Sequence, residues 1–147
     1  MRRFPACAAL ALAAVLAGGC REKPDKVPAA CLTGPGDLRA ALTRAPGNVA
    51  LPGGSKLSEC FVKTGAGDLQ TVASTWIIVA GELAPRAHLH PDAQAAVELG
   101  FMRGALARGA EPGIHDTFRG RFDQELIPVD RSAPAFRRGE AAGRQHG

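Results

Sequence analysis

His88 and His90 stand one residue apart, and this pair of imidazoles is the nearest the chain comes to a ligand set. With a third donor from a neighbouring turn, two histidines can hold zinc or copper. Asp92 and the His115-Asp116 pair are the next donors along the sequence. The connector carrying His88 and His90 is expected at one end of a helical hairpin, whereas His115 follows the turn after the returning helix, roughly 25 Å away for a helix of about 18 residues. That separation argues against a three-histidine site. The competing use is as solvated loop residues, with His90 capping the helix that follows.

Nucleophilic chemistry has less support. Ser55, Ser58, Ser74 and Ser132 all lie outside the G-x-S-x-G turn that presents a catalytic serine. Asp123 and Glu125 form an acidic pair on an expected solvent face. Gly65-Ala66-Gly67 precedes a helix, as an anion-binding turn would, but no strand pattern leads into it, no lysine follows, and Asp68 would repel a phosphate. The residues therefore imply neither catalysis nor a cofactor. Binding is the reading that is left, with a metal site at His88 and His90 as the alternative.

The cysteines carry more information. Cys7 lies within an apolar run from Phe4 to Ala17, which follows Arg2 and Arg3 and leads through Gly18 and Gly19 to Cys20. Positive residues, a short apolar stretch and small residues in that order make an export signal. The uncharged run is shorter than the roughly 20 residues a spanning helix needs. The box Ala17-Gly18-Gly19-Cys20, preceded by Leu16, resembles the signal peptide of a bacterial lipoprotein. The resemblance covers residues 1–19 and Cys20 alone. It implies cleavage before Cys20, a lipid on the Cys20 thiol, and a protein exported and held at a cell membrane or the outer envelope. Two acyl chains give stable attachment where one gives only marginal binding. With Cys20 lipidated, Cys31 and Cys60 remain as an even pair outside the cytoplasm, where such pairs commonly form disulfides. Their bridge would close a loop of about 30 residues, worth roughly 3.5 kcal/mol in the chain-entropy model.

Composition narrows the partners. Losing Arg2 and Arg3 with the signal leaves 16 basic against 14 acidic residues in a chain of 128. The charges are interspersed, tyrosine is absent and Trp76 is the one tryptophan. A nucleic-acid binder would show a basic stripe with aromatic platforms, so nucleic acid is not an expected partner. The membrane, reached through the lipid, and an envelope protein of unknown identity are.

The elements that must position these residues read as helices. Residues 20–30 form a charged, proline-bearing tether, and one domain spans 31–127. Asp37 caps a short helix carrying Leu38, Ala41 and Leu42, and Ser55 opens a second with Leu57, Cys60 and Phe61 on one face. Leu69, Val72, Ala73, Trp76, Ile77, Ala80 and Leu83 fall at the 3-4-7 spacing of a buried stripe, with Ile78 off it, in a helix that Pro85 should end or kink. A helix from Pro91 to about Arg108 carries Ala96, Gly100 and Gly104 four apart, a spacing that lets another helix approach closely; the expected neighbour is the Leu69–Leu83 helix. Glu98 and Arg103 exclude a membrane-spanning role for it. Ile114, Phe118, Phe122 and Leu126 mark a last helix. Pro128, Pro134 and the Arg/Gly-rich composition predict a disordered tail over 128–147. The fold class is all-α, a small bundle of two short and three longer helices around a central antiparallel helical hairpin. The expected role is a membrane-anchored, non-enzymatic binding or interaction module.

Overall fold

The structure, a computed structural model, describes residues 26–62 and 64–147; Cys7, Cys20 and the apolar leader lie outside them. Five α-helices build the bundle: α1 Pro35–Leu42, α2 Ala66–Leu89, α3 Gln94–Gly109, α4 Asp116–Glu125 and α5 Pro134–His146. Short 3-10 turns at Ala29–Cys31, Pro52–Gly54 and Leu57–Phe61 punctuate the first half, and no strand occurs among the described residues.

Local chemistry accounts for the helix starts. Gly34 takes a φ of 102°, which other residues rarely adopt, and turns the chain into Pro35, whose fixed φ suits a first helical position. The Thr33 hydroxyl bonds the Asp37 carboxylate at 2.6 Å and steadies that first turn. Ser55 does not open a second α-helix. Leu57, Cys60 and Phe61 are buried as their spacing requires, but on a single 3-10 turn whose Lys56 N–H is accepted by the Glu59 carboxylate at 3.0 Å. The α2 helix begins at Ala66, within the Gly65-Ala66-Gly67 segment expected to precede it, and it passes through Pro85 to Leu89. A proline removes one backbone hydrogen bond; here the turn beyond it is retained because Ala84 and Ala87 are buried in the core and the His88 ring is tied to the Pro128 carbonyl at 2.7 Å.

The tether and the tail both differ from expectation. Val27 is buried in the core and Ala29–Cys31 already forms a turn, so the domain starts before Cys31. Residues 128–147 are not a disordered tail. Pro134 begins α5 instead of stopping structure, and Phe136 is fully buried. Proline is suited to that position because a first-turn N–H has no intrahelical partner to lose.

The docking of α5 is the main packing event. Gly100 and Gly104 of α3 meet Gly139 and Gly143 of α5. A Cβ on Gly100 would strike the Phe136 carbonyl, one on Gly104 the Glu140 carbonyl, one on Gly139 the Val97 carbonyl, and one on Gly143 the Phe101 carbonyl. Residue numbers rise together along both helices, so α3 and α5 run parallel, with α4 as the return connection. The stripe Ala96-Gly100-Gly104 thus faces α5 and not the Leu69–Leu83 helix. Two further contacts close the far end of this seam. Ser58 donates its backbone N–H (3.2 Å) and its hydroxyl to the Gly147 carbonyl. The Arg108 guanidinium donates to the carbonyls of Arg144 and Gln145 at 3.0 and 2.7 Å, the unpaired acceptors at the end of α5.

Cys31 and Cys60 are joined, Sγ–Sγ 2.05 Å with Cα atoms 5.5 Å apart. The bridge fastens the N-terminal turn to the Leu57–Phe61 turn, beside Leu38, Leu51 and Trp76. That second turn also abuts α3, since a Cβ on Gly109 would meet the Ser58 backbone.

The seam predicts opposite outcomes for one chemical change. Gly104→Ala must push two backbones apart and should cost about 3 kcal/mol. Gly120→Ala, on α4 with open space around it, should gain roughly 0.5–1 kcal/mol from helix propensity. Urea denaturation of both variants checks this; similar losses at the two sites would refute the close approach.

Candidate functional site

Within the described residues, each position singled out in the sequence has a definite place. His88 and His90 are exposed at the end of α2, and His88 already bonds the Pro128 carbonyl. The backbone N–H of His90 is accepted by Arg86, and its carbonyl accepts from Ala93, so it terminates α2 and supports the turn before α3 rather than capping a Pro91 helix. Among the described residues, no three His, Cys, Asp or Glu side chains converge in a way that could hold a metal ion. Cys31 and Cys60 are brought together; Cys20 lies outside the described residues.

His115 is not a solvated loop histidine. It is 2% exposed, immediately before α4, with its ring edge-on to Phe61 at 5.8 Å. Its Nδ1 accepts the Glu111 N–H at 2.9 Å, and its Nε2 lies 3.0 Å from the Thr64 hydroxyl. A His–Thr pair at that distance invites comparison with a base and its nucleophile. Nδ1 also lies 3.3 Å from the Glu111 carbonyl, so either tautomer of the ring finds partners here, and the Thr64 hydroxyl is itself within 3.5 Å of the Phe61 carbonyl. Both residues are buried. The pair ties the loop after the Leu57–Phe61 turn to the start of α4.

That tie positions an apolar recess between two helices. The stripe Val72, Trp76, Val79, Ala80 and Leu83 of α2 points into the core. Leu69, Ala73 and Ile77 form its half-buried border, and Ile78 beyond it is 48% exposed. From the other side come Ile114, 55% exposed, and the residues of α4 facing α2, notably Phe118 and Arg121. Between α2 and α4 lies a groove of about 470 Å³. Phe118, which lines the groove, is held from behind by an aromatic cluster: Phe118 stacks on Phe61 at 5.4 Å, Phe61 meets Trp76 edge-on at 4.8 Å, and Trp76 packs on Phe122 at 5.9 Å. Such pairs prefer these offset and edge geometries.

Arg121 is the one charged side chain lining the groove, and among the described residues it pairs with no carboxylate. The remaining polar groups are Gln70, Ser74 and Thr117, with no imidazole, thiol or acid beside them. Such a lining can hold an apolar surface and orient it by one charge. Ile114, expected in one helix with Phe118, Phe122 and Leu126, instead precedes α4 and caps the groove. The off-stripe position of Ile78 was the available signal.

No protein-family model matches the chain, no curated protein is significantly similar to it, and no solved structure matches it. The groove is therefore interpreted from its own chemistry.

A buried carboxyl outside the groove sets a pH dependence. Glu98 on α3 is 8% exposed. Burial pushes its carboxyl above the ordinary value, while the Arg86 charge and a hydrogen bond with Gln94 pull less strongly in the other direction. A carboxyl raised on folding carries no cost at pH below its unfolded value, and its cost grows as pH rises through the folded one. Glu98→Gln should therefore melt at a higher temperature than the parent protein at pH 7. The difference should close below about pH 4, where the carboxyl is protonated in both states. A variant that melts lower at both pH values would refute the assignment.

Proposed function

We propose that this protein is a lipid-anchored lipoprotein of the bacterial envelope whose helical domain is a non-enzymatic binding module, with the α2/α4 groove as its contact surface. The observation that carries the binding reading is the exposure of Ile78 and Ile114 on either side of a preformed apolar recess. Isolated exposed apolar residues are ordinary, but two that flank a groove lined by Leu69, Ile77 and Phe118 mark a surface suited to a partner. The leader and Cys20 supply the address, and the Cys31–Cys60 bridge agrees with an oxidising compartment.

The partner best matched to the groove is an amphipathic helix of an envelope protein. A recess between two helices receives a third through apolar side chains spaced three and four apart. Arg121 at the rim selects for an acidic residue on that partner. Truncating a central apolar anchor at such an interface commonly costs more than about 2 kcal/mol.

Two measurements separate the address from the surface. Wild-type protein expressed in bacteria should incorporate labelled fatty acid and fractionate with membranes, and Cys20→Ala should do neither; identical behaviour of the two forms would sink the anchor. A photocrosslinking residue at position 78 should trap one envelope protein in intact cells, and one at position 137, on the outer side of α5, should not. The position-78 adduct should disappear on Arg121→Glu. Equal trapping from both positions, or an adduct indifferent to Arg121, would dismiss the groove while leaving the anchor untouched.

A further inference from the structure

On the other side of α4, three helices bring arginines to one small cleft. Arg103 of α3, Arg119 of α4 and Arg144 of α5 line a recess of about 220 Å³, with Asp123 as the carboxylate in its wall and Leu106 and Ala107 at its base. The recess opens to solvent and has room for one tetrahedral oxyanion with part of its hydration.

The carboxylates nearby are already committed. Asp123 lies between Arg103 at 3.5 Å and Arg131 at 3.7 Å. Glu140 is bonded by Arg103 and, at 2.8 Å, by Arg144. Burial raises the Glu140 carboxyl, but the hydrogen bonds and charges of Arg144 and Arg103 outweigh it and leave Glu140 below its ordinary value, ionised at neutral pH. Each acid is thus shared between two guanidinium groups.

The arginine donors are far from exhausted. A guanidinium has five N–H groups. Arg144 gives one to Glu140, and Arg119 reaches Asp116 only at 3.8 Å, beyond hydrogen-bond length. The Glu140 and Asp123 contacts also hold the Arg103 fork, so less side-chain freedom is lost when a ligand arrives. Planar forks of this kind match phosphate oxygens two at a time.

We propose that this cleft is a phosphate-binding site, formed where α3, α4 and α5 meet and read chiefly by Arg119 and Arg144 against the fixed guanidinium of Arg103. The ligand class is a phosphate monoester or free phosphate, whether in solution or displayed as a lipid headgroup. The assignment stands apart from the α2/α4 groove and from the lipid anchor.

The test uses the full chain carrying Cys20→Ala, so that no acyl anchor contributes to vesicle binding. Inorganic phosphate, titrated against sodium chloride of equal ionic strength, should give saturable shifts in the amide resonances of α4 and α5. The double variant Arg119→Gln/Arg144→Gln should lose at least about tenfold in affinity. Arg137→Gln/Arg138→Gln removes the same charge from exposed positions of α5 outside the cleft and should change affinity by less than about twofold. Unchanged melting in chloride would show that both double variants fold. Vesicles containing phosphatidic acid then identify the source: tighter binding than to phosphatidylcholine vesicles, lost in the Arg119/Arg144 variant, assigns the headgroup, and no preference between them assigns soluble phosphate. The absence of saturable shifts with inorganic phosphate and of arginine-dependent vesicle binding overturns the site. Equal loss in the two double variants also overturns it, because binding would then follow net charge alone.

Discussion

The bundle depends on the contact of two helix backbones. At Gly100, Gly104, Gly139 and Gly143 the α3 and α5 backbones come so close that a methyl group on any of the four would overlap a carbonyl across the seam. Glycine in a helix interior costs roughly 0.5–1 kcal/mol against alanine, so the two on each side of the seam weaken each helix taken alone. The cost is offset only when the two helices meet, through dispersion over the whole contact and Cα–H···O=C approaches between backbones. Neither helix is well specified without the other. The second half of the fold is therefore a cooperative unit, with Phe136 as the large apolar side chain that accompanies the docking.

The first half is held by different means. Between Val27 and Phe61 the buried residues Leu38, Leu42, Val49, Leu51 and Leu57 sit on one short helix and a series of turns and loops. The Cys31–Cys60 bridge restricts the unfolded chain in this segment, a contribution of roughly 3.5 kcal/mol that needs no additional core. The two halves join at the Leu57–Phe61 turn. Cys60 faces the bridge, Phe61 enters the aromatic cluster beneath the groove, and Ser58 lies against Gly109 and holds the Gly147 carbonyl. A five-residue turn thereby connects disulfide, aromatic core and glycine seam.

Much of this was legible in the sequence, and the rest failed for identifiable reasons. The all-helical class, the α2 stripe around Trp76 and the burial of Leu57, Cys60 and Phe61 follow from spacing alone. The Ala96-Gly100-Gly104 stripe announced a close helix contact, but its partner was misassigned. The matching stripe Ala135-Gly139-Gly143 sits in a segment whose Arg and Gly content reads as disorder by composition. Composition averages over faces, and a helix that buries mainly glycine and alanine contributes little hydrophobicity to the average. Pro85 misled in the opposite sense: a local breaker was overruled by burial of Ala84 and Ala87 on either side of it. His115 was legible as a possible ligand but not as a buried strut, because its partners, Thr64 and the Glu111 amide, are set by tertiary structure.

Both recesses follow from the shortness of α4. It has 10 residues, against 24 in α2 and 16 in α3, and it must carry the chain back so that α5 can lie parallel to α3. It cannot cover the full length of its neighbours. Where α4 borders α2, the uncovered strip is the apolar edge of the Trp76 stripe, and the recess is apolar. Where it borders α3 and α5, the glycine seam has used up the small face of each helix, and the positions left at its margin are Arg103, Glu140 and Arg144, which is why that recess is charged. A longer α4 would bury both. The seam that makes α5 fold thus also decides that this domain presents an apolar surface on one side of α4 and a guanidinium-lined one on the other.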